Sequence, residues 1–178
     1  FVAANTLIGI EKPRQMAFRN PAIAGKEAEL RAVRAKHFNA RTPTTKTKYR
    51  DEDKKLRGEI AELLKTDGWD DKTAQHLAAW DPYDQNASAP FFDSEWMFGV
   101  KDGFDITIGN PPYVRLQTLN QTDAEQAVWL KEHYTSARKG NYDLYVVFVE
   151  RGLQLMGPCG QLAYILPHKF FNAQYGQP

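Results

Sequence analysis

An apolar run, FDITIG (104–109), passes directly into Asn110-Pro111-Pro112-Tyr113. Its β-branched isoleucine and threonine residues predict a buried strand that ends at Gly109. Two consecutive prolines have no backbone N–H donors and hold extended dihedral angles, so the chain must leave the strand abruptly. We therefore expect a rigid polar loop at the carboxyl end of a strand.

The residues after this loop complete a strand–helix–strand unit. The pattern predicts a helix over Thr122–Tyr134, a loop over 136–141 and a strongly apolar helix over Tyr142–Met156. Gly157-Pro158 ends that helix, and a second buried strand follows over 161–167. Strands joined through helices pair in parallel, which predicts an α/β fold. In open sheets of this kind, ligands bind at the carboxyl ends of the strands.

The residues before the motif form two stretches. Residues 1–10, FVAANTLIGI, indicate a short strand that meets Asn5 and Thr6, two residue types common in turns and caps. Residues 11–90 are mostly polar, and their pattern predicts three helices and a loop, over Ala24–Ala40, Lys48–Lys65, Asp71–Ala79 and 80–90. We expect three parts: a strand of the core (1–10), a mainly helical insertion (11–90), and the core that carries the motif (91–178).

In the predicted helices, apolar side chains are expected to face inward and charged ones to face water. The apolar positions are Leu30, Val33 and Phe38 in the first helix and Leu56, Ile60, Leu63 and Leu64 in the second. Thr47, in the hydroxyl-rich turn TPTTKT (42–47), is the expected N-cap of the second helix. The alternating charges of RDEDKK (50–55) are typical of a solvated, ion-paired helix face.

Composition excludes several classes of protein. The chain has 178 residues, 42% of them hydrophobic and 25% charged, as in ordinary globular domains. Cys159 is the single cysteine and the four histidines are scattered, so neither an internal disulfide nor a metal cluster is expected. No apolar run approaches the ~20 residues that span a membrane. Together with the single cysteine, this favours a protein of the reducing cytoplasm. The net charge of +1 does not by itself indicate nucleic-acid binding.

The chemistry of the sequence is concentrated in the motif. If the prolines fix the loop, the Asn110 side-chain oxygen and the Pro111 carbonyl become two acceptors held at one place. Two acceptors suit a planar group with an exocyclic NH₂, which has two hydrogens to donate. Tyr113 offers a flat face on which an aromatic base can stack. The plainer interpretation is a rigid turn with an exposed tyrosine. The residues alone therefore indicate a site for a planar amine and do not name the electrophile.

The segment GFDITIGNPPYVRLQ (103–117) resembles motif IV of the amino-methyltransferases that use S-adenosylmethionine. It is most similar to the adenine-N6 DNA methylases of bacterial restriction–modification systems. The resemblance continues through KGNYDLYVVFVERGLQLMGPCGQLAYILPHKFF (139–171), and SEWMFGVKDGFD (94–105) is similar to the large single-chain type that joins methylase, nuclease and recognition parts. It implies a partial Rossmann-like methyltransferase sheet with a helical insertion, and double-stranded DNA as the partner.

The resemblance also implies roles for individual residues. Asn110 and Pro111 hold the adenine amino group, Pro112 sets the loop, and Tyr113 stacks on the adenine after it has been flipped from the duplex. Phe148 corresponds to an aromatic residue of the pocket for the cofactor's adenine, although a core role fits it equally well. Asn5 stands where the family often has an aspartate facing that adenine.

Parts of the family pattern are expected outside this chain. The glycine-rich cofactor loop and the acidic residue that holds the cofactor ribose would precede Phe1. We expect the chain to be a fragment of a longer polypeptide. We expect the isolated chain to be inactive. Similar loops occur in amino-methyltransferases that act on RNA or on a protein glutamine, which is one alternative. Another alternative, of a different class, is a non-catalytic interaction module that binds a partner through the Tyr113 loop.

Overall fold

A computed structural model describes residues 2–11, 20–84, 86–138 and 142–168. The chain divides into two compact units. The helical unit comprises Phe1–Asn5 and Gly9–Phe92, and the motif unit comprises Thr6–Ile8 and Asp93–Pro178. None of the helices in the described part of the chain is both long enough and apolar enough to cross a membrane.

The helical unit consists of three helices and one short pair of strands. The helices are α1 (Pro21–Asn39), α2 (Pro43–Thr66) and α3 (Asp71–Ala79), which confirms all three predicted helices. Strand β1 (Ala3–Ala4) pairs in parallel with β2 (Ser88–Ala89). The sequence pattern indicated only a loop at β2, because two residues are too few to show a strand period.

Side-chain caps fix where these helices begin. The side chains of Asn20, Thr42 and Asp70 accept hydrogen bonds from backbone N–H groups in the first turns of α1, α2 and α3. The predicted cap Thr47 is wrong, because α2 begins earlier. Pro43 occupies its first position, where a missing N–H costs nothing. The Thr47 hydroxyl instead donates to the Pro43 carbonyl at 3.1 Å.

The apolar stripe of α2 forms the core of the helical unit. Leu56, Ile60 and Leu64 are buried as expected, and they are joined by Leu30 and Val33 of α1. Phe38 departs from the prediction, since 87% of it is exposed on the last turn of α1. Leu63 is only half-buried.

The expectation of a fully solvated charged face over residues 50–55 is wrong at one position. Asp53 is completely buried, and its two carboxylate oxygens accept from Arg57 Nε at 2.6 Å and from Arg34 Nε at 2.9 Å. The Tyr83 hydroxyl also donates to Asp53, at 3.3 Å. Asp53 is buried because two arginines and a tyrosine replace the water that a carboxylate loses on burial.

The motif unit contains the predicted parallel pair. Strand β3 (Phe104–Gly109) pairs in parallel with β4 (Met156–Tyr164), and helix α7 (Leu144–Leu155) leads directly into β4. The strand–helix–strand prediction is therefore confirmed, with β4 beginning five residues earlier than expected, at Met156 rather than Gln161. The other helices of the unit are α4 (Ser94–Phe98), α5 (Leu116–Thr122) and α6 (Ala124–His133). Taken together, the chain has a mixed α/β architecture compatible with part of a Rossmann-like sheet.

The core of the motif unit lies among the helices and includes a residue from the start of the chain. Leu7 is only 1% exposed and packs with buried residues of α5, α6 and α7, among them Leu119, Leu130 and Val147. The Tyr134 hydroxyl donates to the Leu7 carbonyl at 2.6 Å, and Arg151 Nε donates to the Thr6 carbonyl at 2.9 Å. Burial raises the pKa of Tyr134 to about 12, so this hydroxyl remains a donor at neutral pH.

The two strands of this sheet are less buried than the sequence predicts. Ile106 and Ile108 are 67% and 74% exposed, so the prediction of a buried β3 is wrong, and the alternate residues of β4 are exposed too. Helix α7 packs against the face of the sheet on which Gly152 approaches the side chains of Leu162 and Tyr164. Because side chains alternate along a strand, the isoleucines belong to the other face.

We expect Gly103→Ala to destabilise the motif unit by about 2–3 kcal/mol. Gly103 has a φ of +85°, and an added Cβ would lie 2.7 Å from the Met156 carbonyl oxygen and would also overlap the Gly157 backbone N. Gly58→Ala in α2 is the control, since a Cβ there meets nothing within 4 Å. The control should raise stability by ~0.5–1 kcal/mol through helix propensity. Denaturant unfolding measures both changes, and equal effects would contradict the prediction.

Candidate active site

The motif loop starts where the two parallel strands end side by side. Gly109, the last residue of β3, lies opposite Tyr164, the last residue of β4. The ladder continues for one more hydrogen bond, from Ile165 N to the Gly109 carbonyl at 3.1 Å. The loop therefore leaves the carboxyl edge of the sheet, as the sequence predicts.

The four residues of the motif differ in exposure. Asn110, Pro112 and Tyr113 are exposed, whereas Pro111 is buried. Pro111 thus anchors the loop in the unit while the polar side chains on either side stay accessible. Each proline fixes φ near −65°, which limits the loop to few conformations.

A hydrogen-bonded arrangement joins the two ends of the motif. The Tyr113 hydroxyl lies 3.1 Å from Asn110 Oδ1 and 3.0 Å from the Ile165 carbonyl oxygen, and it donates its one proton to these acceptors. This contact orients the Asn110 amide so that Oδ1 faces Tyr113. An amide oxygen has two lone pairs, so Oδ1 keeps a second acceptor position for a ligand.

The ring of Tyr113 is held on one side and open on the other. It packs against Tyr145 of α7, with ring centroids 5.9 Å apart and the planes perpendicular. Tyr145 is completely buried, while 52% of Tyr113 is exposed. Such edge-to-face contacts are stabilising, and they fix the plane of a ring that retains accessible surface for a second aromatic group.

The exit of the loop is clamped to the start of α7. Leu144 N donates to the Val114 carbonyl at 2.7 Å, and Leu116 N donates to the Tyr142 carbonyl at 3.1 Å. Arg115 and Asp143 form an antiparallel bridge between these two hydrogen bonds. Since the loop is tied to β4 at its start and to α7 at its end, Asn110 and Tyr113 are held on a rigid support.

The two candidate cofactor residues lie apart from this arrangement in the sequence. Phe148, on α7, is half-buried and packs against the core of the motif unit. Asn5 belongs to the helical unit, where it follows β1 and its N–H donates to the Ala89 carbonyl at 2.9 Å. The site predicted from the sequence thus has four residues in one loop, a fifth in the adjoining core, and a sixth in the other unit.

Sequence reasoning missed two groups that hold the loop. One is the Ile165 carbonyl, whose only signal was its place near the end of the strand predicted over 161–167. The other is Tyr145, which stands in an apolar helix pattern that does not distinguish it from its core neighbours. No group of three or more histidine, cysteine, aspartate or glutamate side chains within the described ranges is placed to hold a metal ion.

A parallel α/β unit with a rigid, polar and aromatic loop at its strand ends is the arrangement that the resemblance to methyltransferases implies. The sequence model of the Eco57I restriction-modification methylase family matches residues 7–178. The chain therefore belongs to the Eco57I restriction-modification methylase family.

Curated relatives agree with this assignment. Over 74 residues, 42% of this chain, it is 38% identical to the type II restriction enzyme and methyltransferase RM.Eco57I of Escherichia coli. It is 35% identical over 78 residues to the type II methyltransferase M.XhoI of Xanthomonas vasicola, and 34% identical over 74 residues to M.BstVI of Geobacillus stearothermophilus. The matched segments span 7%, 13% and 12% of the lengths of these relatives.

Proposed function

We propose that this chain is part of an S-adenosylmethionine-dependent methyltransferase that methylates the N6 amino group of adenine in double-stranded DNA. In this proposal Asn110 and Pro111 accept the two amino hydrogens, and Tyr113 stacks on the flipped base. The observation that carries it is the Tyr113 hydroxyl contact, which orients Asn110 Oδ1 on a loop fixed at both ends. The family assignment and the names of the relatives support the reaction class.

The residues of the loop act on the adenine amine, which receives the methyl group. Two acceptors that bind both amino hydrogens turn the nitrogen lone pair out of conjugation with the ring and make it available to an electrophile. S-adenosylmethionine, when bound, would supply the methyl group: the new bond from nitrogen to carbon would replace the carbon–sulfur bond of the sulfonium, which would leave as a neutral thioether. The methylated nitrogen would release one proton to solvent. The chain itself holds and orients the amine, which lowers the barrier by positioning.

The proposed contacts to the cofactor involve fewer residues than the proposed contacts to the target adenine. Phe148 is half-buried in the core and keeps part of its side chain accessible, so it can contact one edge of the cofactor's adenine. Asn5, in the helical unit, is also half-buried, and we propose it separately as a polar contact to the cofactor.

The proposal extends to the longer protein. The E. coli relative is named as both a restriction enzyme and a methyltransferase. We propose that the full-length protein is likewise fused to an endonuclease. It would act in the cytoplasm, where its DNA lies. We further propose that helices α1 to α3 are an insertion in the methylase core.

A methylation assay tests the reaction. Full-length protein with radiolabelled S-adenosylmethionine should label duplex DNA, and digestion to nucleosides should recover N6-methyladenine. The same assay on RNA and on a protein with an accessible glutamine examines the alternative substrates. Label in either of these and none in DNA would overturn the proposal, and no transfer to any of the three would favour an interaction module.

Substitutions at Tyr113 should separate stacking from orientation. Tyr113→Ala removes the stacking face, which is worth ~1–3 kcal/mol per base, so kcat/KM for DNA should fall by roughly 5- to 150-fold. Tyr113→Phe keeps the ring but removes the hydroxyl contacts to Asn110 and Ile165, so its effect should be chiefly on kcat. Steady-state kinetics with duplex DNA measure both variants. If Tyr113→Phe is as impaired in DNA binding as Tyr113→Ala, stacking is not the role of the ring.

A further inference from the structure

The helical unit contains a strongly cationic segment. Between Leu30 and Arg50 the sequence has no aspartate or glutamate, and it has seven cationic residues, namely Arg31, Arg34, Lys36, Arg41, Lys46, Lys48 and Arg50. The whole chain has a net charge of only +1. The positive charge is therefore concentrated at the end of α1, the start of α2 and the turn that joins them.

A cavity lies at this turn. It has a volume of about 280 Å³ and is lined by Arg41, Pro43, Lys46, Thr47 and Arg50. Every charged group of the lining is a cation. Within the described ranges none of these three cations forms an ion pair with a carboxylate, whereas Lys26, Lys55 and Lys65 elsewhere in the same unit do.

Arg50 is positioned in this cavity without being neutralised. Its Nε donates to His37 Nε2 at 3.4 Å, and its guanidinium lies 5.3 Å from the centre of the Tyr83 ring. Partial burial and the nearby charges of Arg50 and Lys46 lower the pKa of His37, so the imidazole stays neutral and can accept this hydrogen bond. Two neutral rings thus orient the guanidinium while its charge remains available.

The arrangement suits a polyanion better than a single small anion. Three cations line the cavity, and Lys36 and Lys48 are exposed on the helices that lead to it. Successive phosphates of duplex DNA present several charges along one strand, and such contacts supply sequence-independent affinity.

We propose that the α1–α2 turn, through Arg41, Lys46 and Arg50, binds backbone phosphates of double-stranded DNA. The identity of the polyanion rests on the proposed function, while the anion chemistry rests on the cavity alone. Contacts of this kind position a protein on the duplex and carry no sequence information. The turn would therefore add affinity for any duplex, whether or not it contains the target adenine.

The test compares two double variants of the full-length protein. Arg41→Gln with Lys46→Gln removes two cavity charges and leaves Arg50 with its ring contacts. Lys54→Gln with Lys72→Gln removes two exposed charges elsewhere in the same unit and is the control. Binding to a duplex without the target site is measured by fluorescence anisotropy between ~50 and ~200 mM salt, the range over which phosphate contacts are strongly salt-dependent.

The cavity variant should bind the duplex roughly tenfold or more weakly, and its log–log salt slope should fall by up to ~1.8, because each lost phosphate contact contributes ~0.9. The control variant should keep the wild-type salt slope and the wild-type kcat. Equal salt slopes in the two variants would overturn the inference. So would a cavity variant that binds duplex DNA as the wild type does and has lost only its binding to RNA or to inorganic phosphate. A wild-type protein that binds DNA in this way but does not methylate it would instead contradict the proposed function.

Discussion

Replacing Asn110 with alanine is expected to lower the rate of methyl transfer by about 100- to 1000-fold, the usual effect of removing one positioned group that acts on a transition state. The side-chain oxygen is held by Tyr113 at 3.1 Å and aims its remaining lone pair at the amine in our proposal. The proposed hydrogen bond from the amine to Asn110 Oδ1 strengthens as the amine becomes nucleophilic and does not involve the cofactor. The dissociation constant for S-adenosylmethionine should therefore change by no more than about twofold. Single-turnover transfer to duplex DNA measures the rate, and calorimetry measures cofactor affinity.

Two further variants make this test specific. Asn110→Asp keeps an acceptor oxygen at the same position and should recover part of the activity, which a purely structural role for the amide does not predict. Asn120→Ala removes an exposed asparagine from α5 in the same unit and should be neutral. Full activity of Asn110→Ala, or a parallel loss of cofactor binding, would mean that Asn110 does not hold the acceptor amine.

Replacing Asp53 with alanine is expected to destabilise the helical unit by about 3–5 kcal/mol, the usual cost of leaving a buried charge without its partner. Arg57 is only 3% exposed, so its guanidinium cannot regain water when the carboxylate is removed. Arg34 and Tyr83 lose a partner in the same change, and these residues tie α1 and the segment after α3 to α2. Denaturant unfolding followed by far-ultraviolet circular dichroism measures the loss.

The control for this prediction is Asp51→Ala, two residues away on the same helix. Asp51 is exposed, and surface substitutions of this kind usually stay within ~0.5 kcal/mol of wild type. Asp53→Asn should fall between the two, since an amide still accepts from one arginine but carries no charge. Similar losses for Asp51→Ala and Asp53→Ala would show that burial of the ion pair contributes nothing to stability.

Much of the architecture could be predicted from local sequence. The bounds of β3 follow from a β-branched run that meets Gly109 and two prolines, and α3 begins where Asp70 caps it. The errors in the predicted helices have local causes too. Several hydroxyls in the 42–47 turn competed as caps, and α5 was missed because its glutamine, threonine and asparagine residues give no clear helical signal. The bounds of an element follow from its own residues only where one signal dominates.

The packing of the site could not be predicted in this way. The Tyr113 hydroxyl meets the carbonyl of Ile165, which is 52 residues distant in the chain, and Asp53 meets Arg34 across 19 residues. No local pattern contains such partners. The exposure of Ile106 likewise depends on which elements cover each face of the sheet, whereas composition alone predicts that an isoleucine is buried.

The placement of Leu7 limits how this protein can be divided into modules. The chain enters the motif unit at Thr6, leaves it after Ile8 and returns at Asp93, so no single cut in the gene separates the two units. A fragment that starts at residue 93 lacks a side chain that is 1% exposed in the core. We therefore expect an exchange of residues 1–92 to leave the motif unit stable only when the incoming segment supplies an apolar residue of similar size at position 7, because that side chain fills part of the core.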